Sequence, residues 1–505
     1  MSLATLYSRA HNGIHAPQVC VEVHLANGLP GLTIVGLPET AVKESRDRVR
    51  AALLNSRFEF PARRITINLA PADLPKQGGH YDLAIALGIL AASGQISAQG
   101  LDQYEFIGEL ALSGGIRAGN GILPMALLTR RAGRQLILPI GNAEEATLIS
   151  GLTILPADSL LAVCAHLNGS QPLVARQAAA VIPGPLPDLA DVRGQHHAKR
   201  ALEIAAAGGH SLLMIGPPGT GKTMLANRLP GLLPPMTEEE AVESAAIASV
   251  SHQGFNLRQW RRRPFRVPHH TASGVALVGG GSRPAPGEIS LAHHGVLFLD
   301  ELPEFNRQVL EVLREPLESG RITISRAAQQ MEFPARFQLI AAMNPCPCGF
   351  LGDPSGRCHC SSEQVQRYRA RISGPVLDRI DMHIEVPALP HRQWHEDQPQ
   401  PEASSHQVRQ RVCLARQRQL QHTGKANHLL SPPEIARCCQ LAENDSRLLE
   451  IACERLGLSA RAYHRILRLA RTIADLGDAE RITSAHLSEA ISYRRLDRKE
   501  IVMRT

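Results

Sequence analysis

The first third of the chain alternates short strand-like runs with stretches of helical spacing. Val19–Val23, Leu32–Val35 and Ile65–Leu69 carry apolar side chains mainly at every second position, the period of a strand with one buried face. Ala41–Asn55 between them and Asp82–Ala92 after them follow helical spacing. The middle of the chain differs. Leu212–Ile215 and Val296–Leu299 are continuous apolar runs and Phe337–Met343 is one interrupted only by Gln338, as strands buried on both faces of a parallel sheet are. Beyond residue 405 the strand signal fades, and Ser459–Leu476 places apolar residues at helical spacing between arginines. Two Pro-rich stretches without periodicity read as linkers, Gly169–Asp188 and Pro387–Ser405. The pattern predicts an α/β chain: an N-terminal α/β domain over 1–170, a linker over 171–187, a central parallel-sheet α/β domain over 188–390, a linker over 391–404, and a helical domain over 405–505.

At 505 residues the chain exceeds a single core, in line with about three domains. It contains no run of about 18 apolar residues, so no membrane partner is expected. Its N-terminus lacks a basic region leading into an apolar core, which argues against a signal peptide and for the cytoplasm. The net charge of +7 suits an anionic partner. Ten cysteines in so long a chain are too sparse for a disulfide framework, which leaves their spacing as the informative feature.

Chemistry gathers at the ends of the apolar runs. Gly216-Pro217-Pro218-Gly219-Thr220-Gly221-Lys222-Thr223 follows Leu212–Ile215 directly and has the spacing of a phosphate loop. Its glycines let backbone N–H groups turn toward a β-phosphate, and a helix opening at Lys222 adds the positive end of its dipole. Lys222 is expected to reach the β- and γ-oxygens of ATP, and Thr223 to ligate Mg²⁺. Val296–Leu299 delivers Asp300 as the second holder of that ion and Glu301 as the base that orients water. Asn344 closes the third run, where it can hold the attacking water or sense the γ-phosphate. Just beyond it, Cys346-Pro347-Cys348 and Cys358-His359-Cys360 flank nine residues of a Gly/Pro-rich loop. Four thiolates in two close pairs suit one tetrahedral structural Zn²⁺, with His359 an alternative ligand.

The order of phosphate loop, Asp-Glu strand, Asn-Pro strand, Leu377-Asp378-Arg379 and Ser459-Ala460-Arg461 resembles AAA+ ATPases of the magnesium-chelatase and replicative-helicase branch. Gly36-Leu37-Pro38-Glu39, Asn68–Lys76, Gly287–His293 and Ala470–Asp475 narrow the resemblance to the YifB/ComM family over nearly the whole chain. That resemblance implies a homo-hexameric DNA motor, a helicase that drives branch migration on single-stranded, forked or branched DNA during natural transformation. It implies that Arg379 is an arginine finger reaching the neighbouring subunit's site and that Arg461 senses the γ-phosphate. It also implies a pore hairpin, formed by residues 321–336 with Arg326 gripping phosphates, and a second pore loop around His269 and His270. The N-terminal domain resembles the magnesium-chelatase-subunit module and, more distantly, the Lon protease domain. It lacks the Ser-Lys dyad: His80 or Tyr81 falls near the serine's place and Leu123 near the lysine's. Arg46, Arg48, Arg50, Arg57, Arg63 and Arg64 are candidates there for phosphate contact. The alternative is a chelatase-like or protein-remodelling ATPase acting on a protein partner.

Overall fold

A computed structural model describes residues 2–10, 15–177, 184–251, 254–280, 285–325, 330–352, 356–388 and 402–494. The chain forms two compact units, one of 1–183 with 241–260, the other of 184–240 with 261–505. The sequence pattern draws a continuous central domain, whereas 241–260 belongs with the first unit. There Val242, Ala245 and Ala246 pack among Ile122, Leu123, Met125 and Ala126.

In the first unit four strands lie in the order Leu3–Arg9, Gln18–Ala26, Arg64–Ala70, Gly31–Val35, antiparallel except for the last pair. Alternation decides the register: Leu6, Val21 and Leu69 stand opposite one another, and all three are buried. Helix Asp82–Ala92, apolar on every side, is buried along its whole length in that core. A Cβ at Gly88 would come within 2.5 Å of Val23 Cγ2, so glycine lets the helix lie directly on the strand. Tyr104–Phe106, Gln135–Pro139 and Ile154–Ala157 form a separate parallel sheet. The helical stretch at 41–55 is divided, with Thr40–Lys43 and Ser45–Asn55 meeting at Glu44.

The second unit is built on a parallel five-stranded sheet in the order Phe265–Arg266, Val296–Leu299, Gln338–Met343, Leu212–Ile215, Met382–Glu385. Phe298, Ile340, Leu212 and Met382 form one buried row across it. Because the strands run parallel, their C-terminal ends share an edge, and Gly216, Asp300 and Asn344 come together there. Helices Ser405–Thr423, Pro432–Cys438, Glu443–Leu456, Ala460–Leu476 and Ser484–Ser492 complete the unit, and residues of each join the core of the sheet. Their ends are punctuated in sequence. Ser404 and Ser459 cap N-termini through their hydroxyls, while Gly424 and Gly457 take positive φ at C-termini.

Candidate nucleotide site and cysteine knuckle

The phosphate loop is shaped by its glycines. A Cβ on Gly216 would stand 2.1 Å from the carbonyl oxygen of Val386, and Gly221 takes φ +88 immediately before helix Lys222–Leu232. Lys222 is buried. Its Nζ donates to the carbonyls of Gly216 (2.7 Å) and Pro217 (2.8 Å) and to Asn344 Oδ1 (3.2 Å). Desolvation lowers its pKa, against the opposing fields of Asp300 and Glu301. Thr223 Oγ1 donates to Asp300 Oδ2 at 2.6 Å, and the Glu301 N–H donates to Asp300 Oδ1 at 2.9 Å. The five residues thus form one constellation at the sheet edge. A hydroxyl beside a carboxylate is the donor set that a Mg²⁺ bound to phosphates takes, and a lysine at the mouth of a glycine loop suits the phosphates themselves.

Two features of this constellation are not visible in its motifs. Glu301 has φ +52, and its Oε2 lies 3.3 Å from His270 Nδ1. The His270 ring lies against that of His269, tilted by 32° with centroids 4.2 Å apart, so the histidine pair sits beside the acidic strand end. Gln195, at φ +54, donates through Nε2 to the Pro387 carbonyl (2.8 Å) and to that of Thr220 (3.5 Å), tying the outer strand's exit to the phosphate loop. A Gly-Gln pair in front of a helix is its only sequence signal.

The two arginines gather around Glu318. Arg379 is largely buried, with Nη1 donating to the Pro375 carbonyl (2.7 Å) and Nη2 pairing with Glu318 Oε1 (2.7 Å). Arg461 pairs with Asp378 (3.3 Å) and reaches the same Glu318 oxygen at 3.6 Å. The carboxylates beside Arg379 in sequence are engaged elsewhere. Ser459 Oγ also donates to Asp378, and Asp381 accepts from Ser211 and pairs with Arg465 at 3.0 Å. Burial alone would push the Asp381 carboxyl up, but hydrogen bonding with His210 and the Arg465 charge hold it well below the usual range.

Cys346, Cys348, Cys358 and Cys360 have their sulfurs within 4.8 Å of one another. Cys346 is 3.3 Å from Cys348 and 3.8 Å from Cys358, and Cys348 is 3.7 Å from Cys358. A Zn²⁺ bound by thiolates at about 2.3 Å gives a tetrahedron with edges of about 3.8 Å, so the donor set fits the ion. Backbone hydrogen bonds from Phe350 and His359 lower Cys348 to about 6. His359 thus contributes its backbone at this point.

Of the expected DNA contacts, Arg326 lies outside the described residues. The hairpin that leads to it is formed, Arg321–Ser325 pairing antiparallel with Gln330–Pro334. Its Glu332 pairs with Arg321 at 2.9 Å. In the first unit Arg48 turns inward to the buried Asp82 (2.8 Å), which removes it from the phosphate-contact candidates. Arg46 pairs with Asp47, and Arg50 lies over Phe60.

Three family models match the chain: magnesium chelatase, subunit ChlI, over residues 188–394; subunit ChlI of Mg-chelatase over 21–142; and the ChlI C-terminal model over 402–494. Competence protein ComM of Haemophilus influenzae is 54% identical over 504 residues, covering 99% of this chain and 98% of that protein. The protein YifB of Escherichia coli (strain K12) is 54% identical over 499 residues, with 99% and 98% covered. DNA replication licensing factor Mcm2 of Drosophila melanogaster is 28% identical over 239 residues, 45% of this chain and 23% of that protein. With full-length identity of this depth and three matching models, the chain belongs to the magnesium-chelatase-like YifB/ComM family of AAA+ proteins.

Proposed function

We propose that the chain is a cytoplasmic ATP-hydrolysing motor that works on branched DNA as a ring of six copies. The observation that carries this reading is the constellation of Lys222, Thr223, Asp300, Glu301 and Asn344 on one sheet edge. Lys222 neutralises the phosphates, Thr223 and Asp300 hold Mg²⁺, and Glu301 orients water with Asn344 beside it. Arg379 serves the neighbouring copy's site and Arg461 reads the γ-phosphate, both leaving Glu318 to do so. The four cysteines hold one structural Zn²⁺.

That one relative is a competence protein and another a DNA replication licensing factor supports DNA as the polymer, and the family resemblance extends the reading to branch migration in natural transformation. His269, His270 and Arg326 contact the phosphate backbone. Because His270 also meets Glu301, a polyanion on that loop bears on the orientation of the base. The test is ATP turnover with four-way junctions, forked DNA, linear duplex and unfolded protein as separate additions. Stimulation by junctions and forks is expected. Stimulation by unfolded protein alone would replace this reading with the chelatase-like or protein-remodelling one.

A further inference from the structure

The cysteine loop begins and ends on the nucleotide constellation. Its entering arm leaves strand Gln338–Met343 through Asn344, whose side-chain oxygen accepts from Lys222, and reaches the buried Cys346 two residues later. The Gly349 N–H donates to the Cys346 carbonyl at 3.0 Å, closing a turn in which Gly349 has φ +86. A Cβ on Gly349 would stand 2.7 Å from Pro218 Cδ and 3.8 Å from Asn344 Cγ, so the turn lies directly against the phosphate loop.

The leaving arm returns to the same place. Cys360 is followed by Ser361, which caps helix Ser362–Arg369, and the Tyr368 hydroxyl on that helix faces the backbone of Asn344, close enough for that backbone to act on the phenol's pKa. Within the loop the arms meet at the sulfurs, at 3.7–3.8 Å between Cys358 and the first pair, and at Arg357 over the Phe350 ring.

We infer that the four-cysteine site is a positioning device for the nucleotide pocket, in which a bound Zn²⁺ holds Gly349 on Pro218 and Asn344 on Lys222, so that nucleotide affinity follows metal occupancy. The inference rests on the proposed zinc and nucleotide readings of these residues. Its physical basis is loop closure. An ion binding both pairs closes the loop at its waist, and without it the two arms have freedom that binding nucleotide must then remove. A zinc that merely stabilised its own loop would leave the pocket unchanged.

The test uses the full chain, elemental analysis, and titration with a fluorescent ADP. About one zinc per chain is expected in protein purified without chelator. Stripping the metal should raise the Kd for ADP about tenfold, and returning Zn²⁺ should restore it. Gly349→Ala should retain zinc and show the same loss, because its Cβ meets Pro218 and its φ is strained. Cys358→Ser should lose both zinc and affinity. Should that variant fail to fold, judged by far-UV circular dichroism, stripping the wild-type chain decides the matter. An unchanged Kd after stripping, or in Gly349→Ala, overturns the coupling while leaving the nucleotide site intact. Absence of zinc overturns it at its root. Equal ADP affinity in Lys222→Ala and wild type would sink the nucleotide reading and the coupling with it, and no step depends on DNA.

Discussion

In the first unit the buried Glu105 accepts two hydrogen bonds of 2.7 Å from Arg9, one of 2.6 Å from Thr129 and one of 3.2 Å from Arg134. In the second, the buried Lys222 donates to two backbone carbonyls and one amide. Glu105 sits in a closed set, where opposite charges meet directly and the carboxylate oxygens are fully engaged. Lys222 sits in an open one. Its cation is desolvated, and the nearest carboxylates act on it as fields, with Asp300 itself hydrogen-bonded to Thr223. A closed set holds a fold together, whereas an open set has favourable interaction left to give to a bound anion. The difference separates structural from functional charge more sharply than burial does, since Arg9, Glu105 and Lys222 are all buried.

The largest effects should come from the open set. Lys222→Ala should abolish measurable ATP binding, because this cation is proposed to neutralise phosphate charge in the ground state. Glu301→Gln should leave binding intact and reduce turnover by about 10²- to 10⁴-fold, the range for a positioned base. Nucleotide titration and steady-state turnover separate the two. ATP affinity equal to wild type in Lys222→Ala would place that residue in a closed set after all.

Arg379 tests whether one copy's site is completed by another. Arg379→Ala should cut turnover by about 10³-fold or more, as removal of an arginine finger does. Mixed with Glu301→Gln subunits it should recover part of that activity, because some interfaces then carry both intact groups. Rings that form in the mixture yet recover nothing at any ratio would confine Arg379 to its pair with Glu318.

The closed set should answer in stability instead. Glu105→Ala leaves Arg9 buried without its carboxylate, which costs about 3–5 kcal/mol. Chemical denaturation should register that loss, while the Kd for ADP stays at the wild-type value. A variant that weakened nucleotide binding without unfolding would break the division between the two kinds of charge.

Legibility in sequence follows the same division. The phosphate loop, Asp300, Glu301 and Asn344 stand out because each group lies at the end of an apolar run, and parallel pairing carries those ends to one edge. The cysteines are legible because pairing is local: two residues one apart on either side of a turn-rich loop have little choice but to converge. What escaped are meetings between distant segments. Glu318 joins Arg379 and Arg461 from separate elements, and nothing in the surrounding residues 314–319 marks it. Likewise Arg48 reads as a candidate for phosphate contact until Asp82, thirty-four positions on, is seen to face it. The inclusion of 241–260 in the first unit was hidden for a related reason: Val242, Ala245 and Ala246 show an apolar face but not what covers it.

Acid should weigh on the second of the two units more than on the first. In the second, burial lowers His428 to about 4 and His383 to about 3. Each would charge near 6.5 in the unfolded chain, so the unfolded state binds more protons between those limits. Their contribution is present in full above about pH 6.5 and is lost as the pH falls through the unfolded value toward the folded one, by at most about 3 kcal/mol for His428. In the first unit burial lowers His166, which acts in the same direction, but it also raises Asp82 and Glu145. The folded state then binds more protons around and just above pH 4, and acid adds stability there through these groups. Calorimetry at pH 7 and pH 5, with ADP used to mark the second unit by its upward shift, should show that unit's transition falling further. His428→Asn should flatten the trend, and equal falls in both transitions would remove the contrast.

The smallest effect in stability, and the finest test of the comparison, concerns the hairpin. Arg321 and Glu332 form an exposed pair across it at 2.9 Å, a small closed set on the surface. Arg321→Ala should change stability by about 1 kcal/mol or less and leave DNA affinity nearly as it was, because water screens the pair and the charge is already matched. Arg326 is proposed to be the open counterpart. A phosphate contact carries no sequence information and releases counterions, so Arg326→Ala should weaken binding to every DNA sequence alike and lower the salt slope by about one for each phosphate that the arginine neutralises. ADP affinity should be untouched in both variants. Measured side by side across a salt series, the two substitutions remove the same charge from the same hairpin, so any difference between them reports on partnership and not on net charge. If Arg321→Ala flattens the salt dependence and Arg326→Ala does not, the DNA grip belongs to the residue that the structure shows already paired, and having a direct ionic partner is no guide to function in this chain.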